Sequence, residues 1–262
     1  MADPDDLERL VGEMILSARR AGEAIMDVYG GDFEVTAKAD DSPVTAADHA
    51  AEAVILADLA RTAPTVPVVS EEAASSRVLP ELGSRFFLVD PLDGTREFVR
   101  RNGEFTVNIA LIENRHPVAG VVFAPAVRRL FAASPTTGAF ELSLDSDPPG
   151  RHPISVRPRP DDGLTVLASR SHADEATERY LATVPVKERR SAGSSLKFCL
   201  LAAGEADLYP RTGRTMEWDT AAGQAILEIA GGSVVTFDGA PLVYGKTAAG
   251  LANPGFIARG WK

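Results

Sequence analysis

Near the start of the chain apolar residues recur every three or four positions: Leu7, Leu10, Val11, Met14, Ile15, Ala18, Ala21, Ile25 and Val28. That spacing predicts one amphipathic helix over Asp5–Tyr29, stopped by Gly30-Gly31. A second helix is predicted from Thr45 to Arg61, where Thr45 and Asp48 resemble a capping box with Asp in place of the usual Glu. Val66–Ser70 reads as a short strand ending in Glu71-Glu72. Phe86-Phe87-Leu88-Val89 is apolar at every position, the pattern of a strand buried on both faces. It runs into Asp90-Pro91-Leu92-Asp93-Gly94-Thr95, which carries two carboxylates and good turn chemistry.

The pattern then changes to strands in succession: Phe105–Ile112, Val118–Ala124, Leu130–Ala133 and Ala139–Leu142. The first two read as a hairpin around Asn114-Arg115-His116-Pro117, and the set as an antiparallel meander. Asp145–Gly163, rich in Pro, Asp and Arg, marks a seam between subdomains 1–150 and 151–262. Beyond it come strand Leu164–Ala168, helices Asp174–Ala182 and Ser194–Ala203, strand Ala206–Tyr209, helix Asp219–Ala230 and strand Ser233–Thr236. Such alternation predicts α/β layers. The expected fold class is α+β, with N-terminal helices on a mostly antiparallel sheet followed by a smaller α/β half.

Composition narrows the function classes. The 262 residues are 45% hydrophobic and 24% charged, ordinary for a globular protein with a substantial core. A net charge of −10 argues against non-specific binding to nucleic acid or an anionic membrane, both of which need a basic face. The single Cys199 excludes an intrachain disulfide and a Cys-rich zinc site, and fits a reducing compartment. It lies among Leu196, Phe198, Leu200 and Leu201 and is expected in the core. The acidic start Met1-Ala2-Asp3-Pro4-Asp5-Asp6 lacks the basic region of a signal peptide. No apolar run approaches the ~18 residues of a membrane span.

The candidate chemistry is carboxylate chemistry. Glu71, Asp90, Asp93 and Asp219 each lie at the end of a predicted element. Gathered without a cation they would repel, and some would stay protonated. Oxygen-only ligands select a hard cation, Mg²⁺ first. His49, His116, His152 and His172 show no paired ligand spacing. Each acid also has a plainer reading. Asp219 suits the N-cap of its helix, Asp48 a helix terminus, and Glu71-Glu72 a solvated loop pair.

Asp90-Pro91-Leu92-Asp93-Gly94-Thr95, with Trp218-Asp219-Thr220-Ala221-Ala222-Gly223 downstream and Glu71-Glu72 upstream, resembles the Mg²⁺-dependent, lithium-sensitive inositol monophosphatase superfamily. Within it, further strings resemble the CysQ-type 3′(2′),5′-bisphosphate nucleotidases. These are Asp41-Ser42-Pro43-Val44-Thr45, Thr95-Arg96-Glu97-Phe98, Arg101-Asn102-Gly103-Glu104-Phe105-Thr106-Val107-Asn108-Ile109-Ala110, Ser169-Arg170-Ser171-His172, Gly193-Ser194-Ser195-Leu196-Lys197-Phe198 and Leu208-Tyr209-Pro210-Arg211. Arg96 stands where Lys is expected, exchanging a point charge for a planar fork, and Glu217 occupies a variable spot.

The resemblance implies a layered αβαβα sandwich and hydrolysis of the 3′-phosphate of 3′-phosphoadenosine 5′-phosphate (PAP) to AMP. It implies that Glu71, Asp90, Asp93, Asp219 and the Leu92 carbonyl bind two or more Mg²⁺ ions. Thr95 and Asp48 would orient and deprotonate the attacking water, with Glu71 also accepting from it. The Gly94 and Thr95 amides would hold phosphate oxygens; His172, Ser194, Lys197 and Arg211 would face the nucleotide. Glu71, Leu92, Asp93 and Asp219 would also lie against substrate. Arg96, Arg100, Arg101, Lys197 and Arg211 are candidates for local positive charge. Ser194 also suits an N-cap, His172 an incidental loop position, and Arg100-Arg101 a solvated pair. The expected location is cytoplasmic, with peripheral association with the inner membrane left open, and a homodimer is left open as well. Inositol monophosphatase or broad sugar-phosphate phosphatase is the alternative enzyme. A non-catalytic phospholigand-binding protein would have no need of the full carboxylate set with Thr95.

Overall fold

The computed structural model describes residues 4–37, 43–76, 79–145, 149–168 and 175–261. The chain begins with α1 (Pro4–Tyr29), β1 (Val35–Ala37), β2 (Pro43–Thr45), α2 (Ala46–Thr62), β3 (Val68–Ser70), α3 (Glu71–Ser76), β4 (Arg85–Asp93) and α4 (Thr95–Val99). The meander follows as β5 (Thr106–Glu113), β6 (His116–Ala124), β7 (Arg129–Ser134), β8 (Gly138–Leu142) and β9 (Arg151–Pro153). Then come β10 (Leu164–Ala168), α5 (Glu175–Leu181), β11 (Val186–Ser191), α6 (Leu196–Ala202) and β12 (Leu208–Arg211). β13 (Thr215–Met216), α7 (Ala221–Ile229), β14 (Ser233–Thr236), β15 (Ala252–Asn253) and β16 (Phe256–Arg259) complete it. No described helix is long and apolar enough to cross a membrane.

β3 to β9 form a seven-stranded sheet in chain order, antiparallel except for the β3–β4 pair. The second sheet has the order β11-β10-β12-β16-β14. In β4 the side chains alternate between two cores. Phe87 and Val89 join the core with α1 and α2, and Phe86 and Leu88 the core with α6 and α7. The second core continues into Tyr209, Val234 and Phe256 of the smaller sheet. Leu164, Val166, Leu208 and Ile257 then pack with Leu181 of α5 on the far side. The stack is therefore α1/α2, large sheet, α6/α7, small sheet, α5: the expected five-layer sandwich. α7 lies between two sheets, which is why seven of its residues, Ala221 to Leu227, are buried with no polar face. The β5–β6 turn is the expected hairpin, with Asn114 (φ 48°) and Arg115 (φ 70°) in the conformation of a two-residue type I′ turn.

Two expectations are corrected, and two strands appear where none was assigned. β4 does not end at Val89 but continues to Asp93, with a register shift against β5 between Asp90 and Asp93. The predicted turn is a bulge, which is how a strand accommodates Pro91. Glu71-Glu72 opens α3 instead of a loop, and Glu72 is buried. Val186–Ser191 is a strand although Lys187, Glu188, Arg189 and Arg190 show no apolar alternation. It pairs only at the sheet edge, where charge blocks further pairing. Phe256–Arg259, unassigned from sequence, pairs with both β12 and β14.

Candidate functional site

The bulge in β4 turns two acids out of a buried strand. The carboxylate of buried Asp90 accepts from the Leu92 amide at 3.1 Å, closing the tight segment that holds Pro91. Gly94 then takes φ 95°, and the chain bends into α4 at Thr95. A side chain at Gly94 would be strained by that φ and would press on the Glu104 carbonyl at 3.3 Å.

Asp48 performs two tasks with its two oxygens. Oδ2 accepts from the Thr45 amide at 2.7 Å and the Thr45 hydroxyl at 2.8 Å, completing the capping box of α2. Oδ1 accepts from the Thr95 hydroxyl at 3.1 Å. The plain helix-terminus reading of Asp48 is therefore incomplete: the same buried carboxylate reaches the start of α4.

Glu71 and Asp219 line one cavity with Arg214, Thr215, Met216 and Trp218. Asp219 is not an N-cap. Thr220 holds that position without a side-chain bond, and Asp219 Oδ2 accepts from the Met216 amide at 2.8 Å. Burial pushes the Asp219 carboxyl well above its usual range, and the charges of Asp93 and Glu71 push it further. A neighbouring cavity is lined by Asp93, Gly94, Ser194, Lys197, Arg211 and Asp219, and Glu97 adds a third acid to it. Burial also raises the Glu97 carboxyl.

Among the described residues no three Asp, Glu, His or Cys side chains stand as a ready-made chelate. Asp93, Asp90 and Asp219 are each fixed by a different backbone amide, those of Ser195, Leu92 and Met216. Their donor set is oxygen only, and desolvation together with crowding leaves it short of positive charge. Those properties fit a hard divalent cation.

The cationic side of the second cavity is equally buried. Lys197 is 5% exposed; its ammonium donates to the Ala192 carbonyl at 3.2 Å and sits over the Tyr209 ring at 5.1 Å. Burial pulls its pKa down to about 8, opposed by the charge of Asp93. Ser194 Oγ and Arg211 Nε are buried and have no hydrogen-bond partner among the described residues. Ser194 is not an N-cap either: it takes φ 46°, and Ser195 precedes α6. His172 lies outside the described residues.

Arg101 leaves the candidate set. Its guanidinium donates to the carbonyls of Tyr29 and Gly31, both at 2.6 Å, and lies over the Tyr29 and Phe33 rings. It fastens the end of α1, and Arg100 and Arg96 are exposed. Cys199 is in the core as expected, its thiol raised well above the usual range by burial.

Sequence reasoning missed Ser195 and the role of Asn108. The Ser195 amide donates to Asp93 Oδ2 at 2.7 Å, and Asn108 Nδ2 donates to Ser195 Oγ at 2.9 Å. The only signal was their presence in quoted strings, because contacts between segments this distant leave no local pattern.

Comparison with known proteins places this geometry. The inositol monophosphatase family matches residues 6–260. The 3′(2′),5′-bisphosphate nucleotidase CysQ of Escherichia coli K12 is 48% identical over 242 residues, covering 91% of this chain and 95% of that protein. The crystal structure of CysQ from Bacteroides thetaiotaomicron matches with TM-score 0.78 and 40% identity, over 96% of this chain and 97% of that one. An inositol monophosphatase from Anabaena matches with TM-score 0.76 and 28% identity, over 97% and 92% of the two chains. With its five-layer sandwich and near-complete coverage at this identity, the chain belongs to the inositol monophosphatase family.

Proposed function

We propose that this protein is a Mg²⁺-dependent 3′(2′),5′-bisphosphate nucleotidase that hydrolyses the 3′-phosphate of PAP to give AMP and phosphate. The observation that carries the choice of substrate is the group of donors that line the cavity beside Asp93: Lys197, Arg211 and Ser194. A bisphosphate offers one anionic group to the carboxylate cluster and a second to this cavity. A monophosphate such as inositol 1-phosphate would leave the cavity's buried donors unpaired, which discriminates strongly. The similarity to nucleotidases named CysQ supports the same choice.

Glu71, Asp90, Asp93, Asp219 and the Leu92 carbonyl would hold the cation, in two or more positions. When bound, Mg²⁺ supplies charge neutralisation at the phosphate and acidifies water. The protein's own groups handle position and protons. The amides of Gly94 and Thr95 would hold phosphate oxygens, and Lys197, Arg211 and Ser194 the second phosphate. The water oxygen attacks phosphorus while the bond to the 3′ oxygen breaks in line, and the departing oxygen takes a proton from solvent to become the 3′ hydroxyl of AMP. Thr95 Oγ1, already donating to Asp48 Oδ1, takes a proton from that water and passes its own to Asp48. Asp48 suits this because its carboxylate is fixed by the capping box and shielded from solvent.

The test is phosphate release from PAP, inositol 1-phosphate and fructose 1,6-bisphosphate, with and without Mg²⁺. PAP should have the highest kcat/KM by at least about tenfold, with no turnover in chelator. Faster turnover of inositol 1-phosphate would overturn the substrate choice, and binding of PAP without release would make the protein a phospholigand binder.

A further inference from the structure

We propose that Ser195 is a positioning residue that couples the nucleotide pocket to the carboxylates of both halves of the molecule. This rests on the reading of Asp93 and Asp219 as cation ligands. Ser195 is 1% exposed and sits on the turn between β11 and α6. Its amide donates to Asp93 Oδ2 at 2.7 Å. Its hydroxyl oxygen lies 2.9 Å from that same Oδ2 and 2.6 Å from the backbone carbonyl of Asp219. One hydroxyl hydrogen serves those two acceptors, while the oxygen accepts from Asn108 Nδ2 at 2.9 Å. Asn108 Nδ2 also reaches Asp93 Oδ2 at 3.3 Å.

Among the described residues, every hydrogen bond to the Asp93 carboxylate therefore falls on Oδ2. That leaves Oδ1 as the oxygen directed to a cation, the usual result when a second layer of hydrogen bonds orients a ligand. The bond to the Asp219 carbonyl anchors the second acid through its backbone. A single side chain thus spans β4 and the entry to α7, which lie on opposite sides of the buried interface.

The same turn carries the nucleotide-facing donors. Ser194 precedes Ser195 and Lys197 follows two residues on, both lining the cavity beside Asp93. The turn has little freedom to shift. A Cβ on Gly193 would come within 2.3 Å of the Glu104 carbonyl, so the backbone is already pressed against the neighbouring loop. Ser194, with φ 46°, is held in a conformation that non-glycine residues rarely adopt. An anion at Ser194 and Lys197 and a cation at Asp93 and Asp219 act on one rigid segment. Each should favour the other, and by the same factor.

The test uses Mn²⁺ as the metal probe and AMP as the nucleotide probe. Mn²⁺ affinity is measured by electron paramagnetic resonance of the free ion, with and without AMP, for wild type, Ser195→Ala and Asp93→Asn. AMP should tighten Mn²⁺ binding to wild type at least about fivefold. Ser195→Ala should weaken Mn²⁺ about tenfold, raise the Mg²⁺ concentration for half-maximal activity by a similar factor, and lose most of the AMP effect. A lowered melting temperature with Mn²⁺ affinity and AMP effect within twofold of wild type would make Ser195 merely structural and overturn the proposal. If Asp93→Asn also binds Mn²⁺ like wild type, the cation-ligand reading fails and the proposal with it. Weakening in Asp93→Asn alone overturns only the role of Ser195. Should Ser195→Ala not fold, Ser195→Cys, whose thiol is somewhat larger and a weaker donor, carries the same expectations.

Discussion

Replacing Lys197 by Met tests whether the cationic cavity is maintained at the expense of stability. The ammonium is buried, and its pKa falls from the ordinary 10.5 to about 8. That fall corresponds to about 3 kcal/mol of destabilisation at neutral pH. Between pH 8 and 10.5 the unfolded chain holds a proton that the folded chain has lost, so wild-type stability rises with pH across this window. Met binds no proton and removes that slope. Met also forfeits the bond to the Ala192 carbonyl and the contact with Tyr209, together about 1–2 kcal/mol. The variant should be about 1–2 kcal/mol more stable than wild type at pH 7. The gap should stay constant below pH 8, close by about 1.4 kcal/mol per pH unit above it, and reverse sign at about pH 9. Urea unfolding followed by the fluorescence of Trp218 and Trp261 at pH 7, 8, 9 and 10 measures the gap directly. A gap that does not change with pH would refute the reasoning, whatever its size. The same variant should raise KM for PAP at least about tenfold, the expected trade between stability and a charged binding site.

Other perturbations have equally definite outcomes. Glu217 is fully buried and accepts from the Gly245 and Lys246 amides and from the Lys246 ammonium at 2.8 Å. Lys246→Met should therefore cost about 3 kcal/mol in urea unfolding, and a wild-type midpoint would contradict the buried pair. A Cβ at Gly120 would stand 2.3 Å from the Ala222 carbonyl of α7, so Gly120→Ala should destabilise by about 3 kcal/mol, and a wild-type midpoint would contradict the packing described. Li⁺ should inhibit Mg²⁺-dependent release of phosphate from PAP by competing at a cation position, and full activity at high millimolar Li⁺ would count against that mechanism.

The layers and the acids were legible for different reasons. α1 announced itself because one face alone is buried, and β4 because both faces are, so its apolar run has no alternation. The acids stood out by sitting at element ends in a known string. β11 was illegible because an edge strand that faces solvent needs no apolar pattern. β16 is four residues long and draws its stability from partners on both sides, which periodicity does not record. The bulge hid behind Pro91 and Gly94, whose turn chemistry is the same in either structure. Arg101 looked like a free surface charge because its acceptors are carbonyls at the end of α1 and just beyond it, 72 and 70 residues away.

The divided carboxylate of Asp48 governs how an inactive protein should be made for trapping a bound substrate. One of its oxygens holds the first turn of α2, and the other holds Thr95. Any change at Asp48 therefore perturbs a helix end along with the proposed proton path, and lost turnover could be credited to either. Thr95→Val leaves the Thr45–Asp48 pair intact and removes only the hydroxyl between Asp48 and the substrate. It is the cleaner silent form for crystallisation with intact PAP, and its melting temperature beside that of Asp48→Asn would show how much of the latter's defect is loss of fold.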